Sequence, residues 1–252
     1  MKVDLHLHAM ERSRCARNSE EEMICAAIEF GLDGIAFTDH HKFMSLKRLQ
    51  ELNENYAPFR IFRGIEISVL EGEDIVVFGV YSPKLESNNW HYNDLHDFIR
   101  EKGGFMALVH PFRHRDHIGV DFENLPTDAI EIQSLNTGAC DRDNILSLIN
   151  RLGIYPFSNS DAHNIRNVGI FYNKLDRFPE NEIDFLTILK DGEYQCRKMQ
   201  SRVACQNAFI EKREKLIKQF IAEGRDRDEF QRETGIWARY YDRVSKGRSS
   251  II

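Results

Sequence analysis

One unit recurs three times along the chain: an amphipathic helix, a glycine, a short apolar strand and then a polar cluster. In EEEMICAAIEFGLDGIAFTDH, Met23, Ala26, Ala27 and Phe30 fall at helical spacing. Gly31 stops that helix, because glycine accepts the left-handed backbone of a helix end, and Ile35 to Phe37 form the strand. In DLHDFIREKGGFMALVHP the helical stripe is Leu95, Phe98 and Ile99 and the strand runs from Phe105 to Val109. In DNILSLINRLGIYPFSNSDAH, Ile145, Leu148, Ile149 and Leu152 mark the buried helix face. Further strands are predicted at Val3–Leu5, Ile61–Ile67, Ile75–Val80, Ala129–Ile132 and Val168–Phe171. The segment EISVLEGEDIVVFGV has two apolar runs around a Glu-Gly-Glu-Asp turn and reads as a hairpin.

Strands that alternate with helices imply an α/β fold with a mostly parallel sheet. A (β/α) barrel is favoured over an open sheet because polar clusters end several different strands. In a barrel those ends converge on one mouth, whereas an open sheet spreads them along a crevice. The chain has no G-x-G-x-x-G or Walker-type glycine loop, so a nucleotide-binding open sheet loses its main signal. The alternation stops near Cys196. QNAFIEKREKLIKQFIAEG is a periodic helix ended by Gly224, and RDRDEFQRETGIWARYYDRV reads as one or two more. The expected organisation is a barrel over 1–195 and a helical extension over 196–252, and 252 residues give ample room for both.

Charge divides the chain in the same place. Residues 197–252 hold 14 basic and 8 acidic side chains, so residues 1–196 carry 20 basic against 32 acidic. An acidic body suits a protein that gathers divalent cations. The basic tail could touch nucleic acid, but interleaved charges on helices are usually just solvated. Cys15, Cys25, Cys140, Cys196 and Cys205 are scattered, odd in number and form no C-x-x-C pair. Reduced, mostly buried thiols in a cytoplasmic protein are expected. No stretch approaches the ~18 consecutive apolar residues of a membrane span, so no membrane partner is expected.

The chemistry lies at the strand ends. The first strand brings Asp4, His6 and His8, the second brings Thr38, Asp39, His40 and His41, and later strands bring Glu66, His110 and the pair Asp161 and His163. Residues two apart on an extended segment point the same way. His6 and His8 therefore aim at one point, and Asp161 and His163 do so from another strand end. Such a nitrogen- and carboxylate-rich pocket suits zinc, manganese or iron rather than calcium or magnesium alone. Each motif alone is weak, and the combination carries the signal. His41, His91 and His96 read as structural.

The order DLHLH, FTDH, GIE, VHP and SDAH resembles the polymerase and histidinol phosphatase (PHP) family of phosphoesterases, over roughly residues 2 to 170. The resemblance implies a distorted seven-stranded (β/α) barrel with two or three divalent metal ions at its mouth. By that analogy His6, His8, Glu66 and Asp161 hold the first, Glu66 bridges to a second at His110, and His40 and His163 bind a third. The sequence departs from the family pattern twice. No histidine falls in Val76–Tyr81 for the second metal, and after H-x-H the only acidic residue is Glu11, among Arg12, Arg14 and Arg17. Water, substrate, Gln133 or Asn136 are the fillers considered.

The expected reaction is hydrolysis of a phosphomonoester or short nucleotide phosphodiester by a metal-bound hydroxide. Arg113 is the first choice to grip the phosphoryl oxygens, since its guanidinium fork binds them bidentately, with Arg14, Arg17, His114 and His117 as lesser candidates. A small phosphorylated substrate is the expected partner, and nucleic acid is not favoured. Three other readings compete. An amidohydrolase-type barrel is disfavoured because Asp161 and His163 share one strand end. A non-catalytic module, plugged by metal, would bind partners through its basic tail. An exonuclease-type domain would need an open basic groove.

Overall fold

A computed structural model describes residues 1–252. Its elements are β1 (Lys2–Leu7), α1 (Glu20–Glu29), β2 (Gly34–Phe37), α2 (Leu46–Asn55), β3 (Arg60–Ser68), β4 (Asp74–Phe78), α3 (Tyr92–Lys102), β5 (Phe105–Val109), β6 (Ala129–Gln133), α4 (Arg142–Leu152), β7 (Tyr155–Ser158), β8 (Phe171–Leu175), α5 (Glu182–Lys190), β9 (Tyr194–Lys198), α6 (Gln200–Ala222), α7 (Arg227–Thr234) and α8 (Ala238–Ser245). The three predicted helix–glycine–strand units are α1–β2, α3–β5 and α4–β7. Gly31, Gly103 and Gly153 follow their helices with φ of 75°, 69° and 66°. Nothing lies within 4 Å of a Cβ built on any of them, so the backbone angle and not crowding calls for glycine there. The predicted stripes point inward: Met23, Ala26, Ala27, Leu95, Ile99, Ile145 and Leu148 are buried.

The strands form one mixed sheet in the order β7-β6-β5-β4-β3-β2-β1-β8-β9. There are nine strands where seven were expected. The extra ones come with antiparallel pairings, since β3 to β4, β4 to β5, β1 to β8 and β8 to β9 all run antiparallel. The predicted hairpin is the β3–β4 pair, with Glu66 opposite Val76. The sheet curls until its edges nearly meet. Ser158 on β7 bonds to Asn173 on β8 and, through its hydroxyl, to the Arg197 carbonyl on β9. Side chains rather than a backbone ladder make that seam.

Two strand expectations shift. The Val168–Phe171 strand begins only at Phe171, because Gly169 sits at φ 69° and gives its N–H to the Asp4 carboxylate. β9 was not expected: YQCRK is a polar edge strand with one face exposed, and it lacks an apolar signature. The expectation of mostly buried cysteines is wrong. Cys15, Cys25, Cys140 and Cys205 are exposed and only Cys196 is partly covered, and all five are free thiols. Cys25 and Cys205 lie on the solvent faces of α1 and α6. No helix is long and apolar enough to cross a membrane.

Beyond the sheet, α6, α7 and α8 pack around Ile217, Phe220 and Phe230. The segment after α8 returns to the sheet. Ile251 and Ile252 join Ile170, Phe171, Val203 and Ile210 in a small core, and Ala139 N–H donates to the Ile251 carbonyl.

Candidate metal centre

Backbone pairing brings the two predicted ligand pairs face to face. His8 N–H donates to the Ala162 carbonyl at 3.0 Å, and Ala162 N–H donates to the His6 carbonyl at 3.3 Å. Thus the segment carrying Asp161 and His163 continues alongside β1. A parallel bridge joins His40 to Glu66 in the same way. His110 comes directly after β5. All seven predicted ligands arrive at one place, and His6, His8, Glu66, His110 and Asp161 are buried there.

Distances are those of a cluster sharing ligands. Glu66 is at its centre: Oε2 lies 2.9 Å from His40 Nδ1, 3.2 Å from His8 Nε2 and 3.4 Å from His6 Nε2, and Oε1 lies 3.1 Å from His110 Nε2. Asp161 Oδ1 lies 3.1 Å from His8 Nε2 and 3.5 Å from both His6 Nε2 and His163 Nδ1. Four triplets place their ligand atoms within 4.8 Å of one another: His6, His8 and Glu66; His6, His110 and Asp161; Glu66, Asp74 and His110; and His8, His40 and His163.

The donors fit a cation on their own chemistry. His6 Nε2 and Glu66 Oε2 are buried and make no hydrogen bond of good geometry, although three imidazole nitrogens crowd Glu66 Oε2 within 3.4 Å. Buried polar atoms are nearly always satisfied, and an orphan costs about 1–3 kcal/mol. Two orphans aimed into one nitrogen- and carboxylate-lined space are what divalent cations would satisfy. Without a cation, protons take up part of the negative charge: burial opposes it, but Asp161 and Glu66 raise His6 well above the usual imidazole range. Burial and the neighbouring His163 push the His8 imidazole down to about 3, which keeps its lone pair free. Against the burial that opposes it, Glu66 lifts His40 to about 11. His40 and His6 in turn hold Glu66 ionised well below the usual carboxylate range despite its burial. The backbone is strained here too: His110, Phe112 and Asp161 have φ of 33°, 63° and 52°, in the left-handed region. Non-glycine residues stay in that region only where surrounding contacts hold them.

The PHP domain family matches residues 4–124, and the PHP-associated family matches residues 142–194. The chain carries a PHP domain followed by a PHP-associated segment. Solved structures share the fold. PsfC from Pseudomonas syringae superposes with a TM-score of 0.60 at 18% identity, covering 82% of this chain and 96% of that one. A two-domain protein from Bacteroides vulgatus, containing a predicted PHP-like metal-dependent phosphoesterase, gives 0.58 at 14% identity over 79% of this chain and 64% of that one. The lesion-specific endonuclease of Pyrococcus furiosus gives 0.56 at 16% identity, over 77% and 57% of the two chains. None of the curated proteins matches.

Around this PHP centre the remaining candidates separate. Asp39 is not among the ligand atoms: it accepts from Ala9 N, Ser13 Oγ and Arg12 Nε and ties the loop after β1 over the site. Asp4 accepts from the Ser160 and Gly169 amides, and burial lifts its carboxyl to about 7. Thr38 bonds to the Leu7 carbonyl. Glu11 faces the first turn of α1, accepting from Glu20 N–H, so it is no filler for the third site. Gln133 accepts from Ser158, whereas Asn136 donates to Asp161 Oδ2. His41 bonds to Ser87 and Ser68, His91 to Glu71, and His96 lies against Asp97 and Arg100, all away from the cluster. Arg14 and Arg17 are exposed, and His117 is exposed beside Asp116. Arg113 is at the centre, with Nη1 3.4 Å from His110 Nε2. His114 lines the same cleft, and burial with the Arg113 cation lowers its pKa, so it is uncharged at neutral pH.

Three residues escaped the sequence reading. Asp74 opens β4, with Oδ2 3.8 Å from His110 Nδ1, where the second site lacked a histidine. Register across the sheet places it, beside Ser68 on β3 and Val109 on β5. Glu131, fully buried, accepts from His6 Nδ1 at 3.3 Å and from His110 N–H at 2.9 Å. Cys15 lies beside His163 and His40, which draw its thiol down to about 6 against the effect of burial. No spacing rule in the sequence pointed to it.

Proposed function

We infer that this PHP chain hydrolyses a phosphate ester of a small molecule at a centre held by His6, His8, His40, Glu66, His110, Asp161 and His163. The supporting observation is the pair of buried atoms without a well-formed hydrogen bond, His6 Nε2 and Glu66 Oε2, 3.4 Å apart among four further imidazoles and a second carboxylate. Zinc, manganese or iron ions, two or three per chain, would supply acidification of a bound water and neutralisation of phosphoryl charge.

The protein's own part is set by the geometry. With a cation bound, Glu131 would accept the His6 Nδ1 proton and leave the Nε2 lone pair to the ion. Asn136 holds Asp161 from one oxygen and leaves the other toward His6 and His8. The Arg113 guanidinium, with no carboxylate partner, lies beside His110 and is free to grip phosphoryl oxygens. The barrel over 1–195 thus carries the chemistry, and the extension over 196–252 closes one side of it. Part of the extension's basic charge is spent on partners within the chain, while Lys212, Lys215, Lys218, Arg227, Arg232 and Lys246 stay exposed. Arg202 bonds to backbone carbonyls, Arg213 stacks on Tyr240, Arg225 pairs with Glu233, and Arg243 and Arg248 pair with Asp141. That favours a small substrate over a long nucleic acid.

The test is release of p-nitrophenol from p-nitrophenyl phosphate and its diester, with added manganese or zinc. Turnover of either is expected. In Arg113→Ala, KM should rise about 10–100-fold, the worth of a lost charge-assisted contact, with metal content unchanged. If neither KM nor kcat moves, Arg113 does not hold the substrate. If the wild-type protein turns over neither ester with metal bound, the reading fails.

A further inference from the structure

A cleft opens beside the metal centre, with Arg113 and Asn136 on one side and Arg239, Tyr240 and Arg243 on the other. Two of these residues touch the proposed ligands: Asn136 donates to Asp161, and Arg113 lies 3.4 Å from His110. The opposite wall comes from α8 and the segment after it. The cleft therefore begins at the metal centre and ends on the helical extension, outside both matched family regions.

Its charge is the reverse of the body's. Three arginines and no carboxylate line it. Arg243 is already committed to Asp141 at 3.1 Å and to the Ser249 carbonyl at 3.0 Å. Arg239 is not: it contacts only the Tyr240 hydroxyl and the faces of Trp237 and Tyr240, and no carboxylate lies within salt-bridge distance of it or of Arg113. Tyr240 is flanked by Arg239, Arg213 and Arg113, whose charges lower its hydroxyl pKa although burial opposes them. Two unneutralised guanidiniums in a half-covered cleft attract anions strongly, because each would gain a charge-assisted bidentate contact there.

The wall is also fixed in place. Arg243 donates to the Phe112 and Arg113 carbonyls, and Arg248 donates to the Phe112 and Arg115 carbonyls and pairs with buried Asp141. The extension is thereby clamped to the loop that carries Arg113. The helix that carries Arg239 is held beside the loop that carries Arg113.

We propose that Arg239 binds a second anionic group on the substrate, so that the enzyme prefers phosphate esters carrying another phosphate or carboxylate beyond the scissile one. This rests on the phosphoesterase reading for the first phosphate, while the cleft itself can be tested by binding alone. The probes are the bisphosphates of ethane-, propane- and butanediol, each against its monophosphate, titrated calorimetrically into the manganese-loaded full chain. At one or more spacings the bisphosphate should bind about 10–100-fold more tightly than the monophosphate. Arg239→Ala should remove that advantage, and Arg239→Lys should restore part of it. Equal affinity for both esters at every spacing overturns the proposal, and so does an advantage that survives in Arg239→Ala. Tight, Arg239-dependent binding with no turnover of any probe would leave the cleft standing and sink the phosphoesterase reading.

Discussion

Replacing Asp161 with asparagine should abolish phosphate-ester hydrolysis and lower the metal content of the purified protein. Asp161 Oδ1 lies within 3.5 Å of His6, His8 and His163, so its charge serves most of the centre at once. Losing a proposed direct ligand should cost more than the ~10–100-fold expected for loss of a residue that only orients a ligand. Asparagine is the preferred replacement because φ is 52° at this position, and asparagine tolerates the left-handed region better than alanine does. Circular dichroism and thermal melting should show an intact fold. Wild-type turnover in this variant, with contaminating metal excluded, contradicts the site.

Glu131→Gln should weaken metal binding without touching a ligand. The carboxylate accepts from His6 Nδ1 on one oxygen and from His110 N–H on the other. A glutamine has one oxygen for two donors. If that oxygen keeps His110, the amide NH2 confronts the His6 Nδ1 proton and drives it to Nε2, the nitrogen that faces the centre. The opposite rotamer leaves the His110 N–H confronting an NH2 group. Either arrangement should cost about 10–100-fold in metal affinity, measured by competition with a chromogenic chelator. Unchanged affinity would mean that Glu131 is only a buried structural acid.

Much of the centre was legible because strand geometry is so regular. A period of two forces His6 and His8 onto one side, and helix–glycine–strand units place their polar ends at one mouth. What could not be read depends on register across the sheet. Asp74 reaches His110 because β4 runs antiparallel to β5 and sets Asp74 against Val109, a pairing that no local pattern encodes. Glu131 lies in AIEIQ, which reads as an ordinary half-buried strand, and nothing there distinguishes a catalytic neighbour from a surface acid. Cys15 arrives through a loop pinned by Asp39, Ser13 and Arg12, and loop paths depend on tertiary bonds rather than periodicity. The barrel's strand number failed for the same kind of reason. β9 is polar and short, and its partner β8 starts late because Gly169 gives its amide to buried Asp4.

The central claim is that these seven side chains hold two or three ions. The direct measurement is metal content per chain by elemental mass spectrometry, after equilibration with manganese or zinc at pH 8 and at pH 5. His40 is lifted to about 11, so protons compete with cations for it at both values and more strongly at the lower one. The site predicts two or three ions per chain at pH 8 and fewer at pH 5. One ion or none at pH 8, or an occupancy indifferent to pH, would contradict it.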